Sequence, residues 1–104
     1  VTPTQLTLRH LREEGWTLVE VVEHWNPHAR LRQDLFGMID VIAVRPNETM
    51  GIQTTSYSNV PARVRKIAEH PNTPHIREAG WTLRVHGWRK VKNRWTLARD
   101  VDVS

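Results

Sequence analysis

One stretch restricts the fold of this chain more than any other. From Asp34 to Thr55 it reads Asp-Leu-Phe-Gly-Met-Ile-Asp-Val-Ile-Ala-Val, then Arg-Pro-Asn-Glu-Thr-Met, then Gly-Ile-Gln-Thr-Thr. Two runs rich in β-branched residues flank a turn-forming hexapeptide, the pattern of a hairpin. The first run, Met38 to Val44, is apolar on both faces apart from Asp40, as expected of a buried strand. The second, Gly51 to Thr55, carries Gln53 and Thr55 at period two, so the two share a face. Paired as a hairpin, these strands bring Asp40 and Gln53 together, and two oxygen donors converging there form a candidate cation site.

The flanking sequence supplies helices. Thr2-Pro3-Thr4-Gln5 carries a capping threonine, a proline at the first helical position and the glutamine of a capping box. The spacing predicts a helix from about Thr4 to Glu14, with Thr4, Thr7, Leu8 and Leu11 facing inward and Gly15 as its stop. Trp16 to Trp25 reads as a strand, ended by Asn26-Pro27-His28. After Thr55, Val60, Val64, Ile67 and Ala68 define a helix face, flanked by Arg63, Lys66 and His70 and closed by Pro71. A short helical turn opens at Thr73-Pro74 and closes at Gly80. Trp81, Leu83 and Val85 alternate with Thr82, Arg84 and His86 as a half-buried strand, and Arg94 to Val101 pairs with it across Arg89 to Asn93. The heptads from Arg12 to Leu18 and from Arg77 to Leu83 echo each other, as one helix-stop-strand device used twice; a single heptad is too short to claim a duplication. The expected fold is α/β (α+β): one domain over residues 1–104, with helices on a mixed sheet of about five strands in the order α-β-β-β-α-(α)-β-β.

Composition narrows the function. The 104 residues contain no cysteine, which removes disulfides, thiolate metal sites and thiol nucleophiles. No apolar run reaches the roughly 18 residues of a membrane span, and the start lacks a signal-peptide pattern. The expectation is a soluble, cytoplasmic protein with no membrane partner. The net charge of +4, with a pI near 10.3, suits a polyanionic partner. Arg30, Arg32, Arg63, Lys66, Arg89, Lys90 and Lys92 are the candidate phosphate contacts. Five tryptophans offer core, stacking or interface surface, and Trp88 stands beside the cations of Arg89 to Lys92. His24, His28 and His75 lack the spacing of a zinc motif.

A helix, three strands with a carboxylate entering the second and a polar pair on the third, then a basic helix: this order resembles the PD-(D/E)xK nuclease superfamily. Within that superfamily it resembles small phage-type proteins similar to Holliday junction resolvases. The likeness runs from about Thr4 to Lys90 and implies a restriction-endonuclease-like core. By that resemblance Asp40 corresponds to the metal-binding aspartate. Gln53 stands where the family has Asp or Glu, and Thr55 where it has Lys. Glu13 or Glu14 matches the acidic residue that many resolvases carry on the first helix. Asp34 or Glu23 is a candidate second carboxylate, and Lys66 or Arg63 a candidate stand-in for the missing lysine. The implied activity is metal-dependent DNA hydrolysis, with Asp40, Gln53 and Lys66 catalytic and Asp40, Gln53, Asp34 and Glu14 around Mg²⁺ or Mn²⁺. A homodimer is expected if two symmetric strands are cut. The Gln53-Thr54-Thr55 triplet leaves two rivals open, a catalytically inactive nucleic-acid-binding module and a protein-binding factor using exposed tryptophan.

Overall fold

A computed structural model describes all 104 residues as an α+β fold. Helix α1 (Pro3–Glu13) leads into β1 (Leu18–Val21), a small hairpin of β2 (His24–Asn26) and β3 (Leu31–Gln33), then β4 (Val41–Arg45) and β5 (Glu48–Ser56). A 3-10 turn (Tyr57–Asn59) opens α2 (Val60–Glu69), followed by α3 (Thr73–Glu78), β6 (Thr82–Val91) and β7 (Arg94–Asp102). The central sheet has five strands in the order β1-β4-β5-β6-β7, and β2-β3 stands apart. Only β5 and β6 run parallel, because α2 and α3 form the crossover between them; every other pair is antiparallel.

Strand alternation sends two cores to opposite faces of this sheet. Leu11 of α1 packs with Trp16, Val41, Ala43, Met50 and Ile52. On the other face, Val60 and Ile67 of α2 and Ile76 of α3 pack with Met38, Ile39, Leu83 and Val85. The strand residues between them obey period two, so Met50, Ile52 and Thr54 face α1 whereas Gly51, Gln53 and Thr55 face α2. Gly87 lets α2 approach: a Cβ there would collide with Val60.

Local signals explain the helix ends. Thr2 caps α1 by accepting from the Gln5 amide at 3.2 Å, and Gln5 Oε1 accepts from the Thr2 amide at 2.9 Å. The heptad echo is a real structural repeat. Gly15 and Gly80 have φ of +86° and +83°, and the Trp16 and Trp81 amides reach back to the Leu11 and Ile76 carbonyls at 3.2 and 3.3 Å. This is the Schellman closure, made twice, each time handing a helix to a strand.

Several sequence-based boundaries are corrected. The Trp16–Trp25 segment divides: β1 ends at Val21, Val22 donates to the Asp40 carbonyl at 2.9 Å, and the chain leaves the sheet as β2. The strand expected from Met38 begins at Val41, because Leu35 and Ile39 close a tight loop through reciprocal bonds of 2.8 and 3.0 Å, with Phe36 and Gly37 at positive φ. β5 extends to Glu48, and the turn shrinks to Pro46-Asn47. β6 continues through Arg89, Lys90 and Val91, leaving Lys92-Asn93 as a two-residue turn with both φ positive, the type I′ preference of a hairpin. Ala68 is exposed, off the buried face of α2. Arg30 lies in the hairpin turn at φ +54°, and Arg32 on β3.

Candidate metal and phosphate site

Three carboxylates converge at the edge where the small hairpin meets the sheet. Glu23 immediately precedes β2, Asp34 immediately follows β3, and Asp40 immediately precedes β4. One oxygen from each lies within 4.8 Å of the others. The grouping follows from topology, because a ten-residue excursion with a closed hairpin must return its two feet to the same place. Glu23 is further held by Arg32, whose Nη1 lies 3.1 Å from Glu23 Oε1.

Asp40 is the most buried of the three. Its Oδ2 accepts from the Thr54 backbone amide at 3.0 Å, and its own amide donates to the Ile52 carbonyl at 3.0 Å. Burial pushes its pKa up to about 8, and the neighbouring Asp34 adds to the rise; the Thr54 bond opposes it. Asp34 moves the other way. Burial works against its ionisation, but hydrogen bonds from Asp40 and Lys66, together with the Lys66 charge, hold it below the ordinary carboxylate value. The two shifts run in opposite directions, so Asp40 is the member of the pair that holds a proton more readily.

Helix α2 brings its cations to this edge. Lys66 Nζ lies 3.0 Å from Asp34 Oδ2 and 3.3 Å from Gln53 Oε1, and Arg63 Nη1 donates to Gln53 Oε1 at 3.0 Å. The two cations are three residues apart on one helix, so they lie on one face. The Gln53 amide group donates to the Met38 carbonyl at 3.0 Å and to Asp34 Oδ2 at 3.4 Å. A cleft of about 380 Å³ lined by Arg32, Gln33, Asp34, Gly37 and Lys66 opens here to solvent.

This geometry revises the expected ligand set. Asp40, Asp34 and Lys66 are together, and Arg63 joins them. Gln53 is adjacent, but its oxygen is taken by two cations and its nitrogen faces the carboxylates. It is therefore a bridge between α2 and the acidic residues, not an oxygen donor to a metal. Glu14 is excluded by position. It caps α1, on the opposite face of the sheet from α2, and pairs with His10 at 3.2 Å. Glu23, a candidate second carboxylate from the resemblance, is the third acid beside Asp34 and Asp40. Thr55 is buried opposite Gly87 of β6.

The remaining basic candidates fall on two projections. Arg30 and Arg32 are exposed on the β2–β3 hairpin. Arg89, Lys90 and Lys92 are exposed at the tip of β6–β7, where Arg89 lies 4.6 Å over the Tyr57 ring and Lys90 5.7 Å from the Trp95 ring. Trp88, a stacking candidate from its basic neighbours, is instead buried and donates to Thr7 Oγ1 at 2.9 Å. It belongs to a polar cluster beneath α1, in which Thr7 Oγ1 also meets Thr54 Oγ1 at 2.9 Å and His86 Nδ1 at 3.2 Å. Burial holds the His86 pKa down to about 4, so the ring is neutral. Sequence alternation alone would have put His86 in solvent.

No helix is long and apolar enough to cross a membrane. No family model, no curated protein and no solved structure matches this chain.

Proposed function

We propose that this protein is a metal-dependent DNA endonuclease of the resolvase type, built on a PD-(D/E)xK-like core. The observation that carries the reading is the convergence of Glu23, Asp34 and Asp40 beside Lys66 and Arg63. Three hard oxygen donors with no nitrogen or sulfur among them suit Mg²⁺ or Mn²⁺, which fill their remaining positions with water and phosphate oxygens. A proton held on Asp40 near neutrality is what a dication would displace. Such an ion, held by the three carboxylates, supplies a polarised phosphate and an activated water.

The chain's own residues do the rest. Lys66 and Arg63 provide positive charge to the phosphate as negative charge develops on it. Gln53 fixes both cations through one oxygen, which orients them before substrate arrives. Lys66 thereby takes the electrostatic role that Thr55 cannot. The basic tips carrying Arg30 and Arg89 to Lys92 contact backbone phosphates on either side. Action on DNA in the cytoplasm, and a two-fold dimer if junctions are the substrate, complete the proposal.

The experiment is cleavage of labelled linear and branched DNA with Mn²⁺ by wild type and by Asp40→Asn. Cleavage by wild type alone supports the reading; equal cleavage by both removes Asp40 from the mechanism. The Gln53-Thr54-Thr55 triplet favours a second reading, a non-catalytic DNA-binding module. That reading predicts salt-sensitive DNA binding with neither cleavage nor metal requirement.

A further inference from the structure

We propose that the β2–β3 hairpin is a stacking arm and that Trp25 receives an unpaired nucleobase next to the bond that is cut. This inference rests on the nuclease reading above and adds its substrate class, nucleic acid with unpaired bases at the site of cleavage.

Three observations carry it. First, Trp25 is 57% exposed on a hairpin that is not hydrogen-bonded into the main sheet. It contributes nothing to either core. Second, Trp25 is the cross-strand partner of Arg32, so the two side chains share a face. Arg32 also pairs with Glu23, which puts that face on the carboxylate side. Trp25 and Glu23 are two residues apart, about 7 Å along an extended chain. Third, the arm is stiff and cationic. Asn26 Oδ1 accepts from the His28 and Ala29 amides at 3.0 and 3.1 Å, and Asn26 Nδ2 donates to Gln33 at 3.1 Å. Between its two acidic feet the hairpin carries Arg30 and Arg32 and no acidic residue.

An exposed indole opposite Arg32, one strand period from the proposed phosphate-hydrolysing centre, offers a base a π-face and its phosphates a charge partner. A base in an intact duplex is already stacked on its neighbours and cannot use this surface. Single strands, flaps and junction crossovers can.

The test measures binding by fluorescence anisotropy in the full-length Asp40→Asn protein, which keeps DNA intact. Probes are a labelled single strand of about 16 nucleotides and the same sequence as duplex. Adding Trp25→Ala is expected to weaken single-strand binding about 5- to 150-fold and leave duplex binding unchanged, as one lost base stack predicts. Trp25→Phe keeps most of the affinity, and circular dichroism of both variants matches the parent. Unchanged single-strand binding in Trp25→Ala overturns the arm while leaving the nuclease reading intact. So does Trp25-dependent self-association in sedimentation, which would mean that a second copy covers the indole. Failure of the parent to bind either DNA overturns the nuclease reading, and this inference with it.

Discussion

Glu23 and Asp34 stand at the two feet of one hairpin, and the closure of that hairpin is what sets their carboxylates together against Asp40. The cluster is thus a product of chain topology, and its cost is electrostatic. Three acids in one place must be relieved by a proton, by Lys66 or by a cation.

Asp40 binds its proton more tightly in the fold than in the unfolded chain, since its pKa rises from 3.8 to about 8. Between those values the folded state holds more protons, so stability is lost as pH rises, by up to about 1.4 kcal/mol per pH unit. Asp40→Asn mimics the protonated side chain, keeping an oxygen for the Thr54 amide. In metal-free buffer its thermal unfolding should be nearly flat from pH 7 to 8 while that of wild type declines, and the variant should be the more stable at pH 8. Parallel curves would contradict the raised pKa.

His86 acts with the opposite sign at lower pH. Its folded pKa is depressed from 6.5 to about 4, so the unfolded chain binds more protons and stability falls as pH drops through that window. Asp40 gains stability over the same acid range, and in wild type the two slopes offset each other. In the Asp40→Asn background the His86 slope is exposed. Denaturant unfolding should then show stability falling from pH 6.5 to 4; no change would place His86 in contact with solvent.

Gln53→Glu, which places an acid at the position where the resemblance to nucleases would put one, should harm this protein. The introduced carboxylate would keep the Arg63 and Lys66 bonds, but its second oxygen would face the Met38 carbonyl and Asp34, both acceptors. We expect Gln53→Glu to lose about 1–3 kcal/mol at pH 8 in metal-free urea unfolding and to recover part of it near pH 5, where the new carboxyl can donate. A more stable variant at pH 8 would mean that the amide orientation is wrong.

Lys66→Met should lower Mn²⁺-dependent cleavage by about 10²–10³-fold, as removal of a preorganised charge donor does. Lys66→Arg should keep more activity than Lys66→Met. Single-turnover rates on labelled DNA check both, and equal rates for Lys66→Met and wild type would deny Lys66 its role.

Much of this fold was legible in the sequence because it rests on local rules. The capping box at Thr2, the paired Gly-Trp stops, the β4–β5 hairpin and the α2 face follow from spacing and turn chemistry. Asp40 was legible as the lone carboxylate in an apolar run. What sequence could not supply depends on the chain's return path. Glu23 and Asp34 are eleven residues apart, and nothing local says that the segment between them closes on itself. Gln53 has the right residue type for a ligand, but Arg63 and Lys66 arrive from α2, distant in sequence and packed on the same sheet face, and take its oxygen. Glu14 was a candidate only through the resemblance, and α1, which it caps, packs on the face opposite α2. His86 and Trp88 are buried by α1 through Thr7, a polar contact that no alternation rule anticipates.

Whether the three carboxylates hold a cation is decided by isothermal titration of Mn²⁺ into wild type and Asp40→Asn at several pH values. One site is expected in wild type, with proton release on binding below about pH 8, affinity that rises with pH up to that value, and no binding by Asp40→Asn. Binding of equal strength in both proteins, or none in wild type at pH 8, would contradict a cation held by Glu23, Asp34 and Asp40.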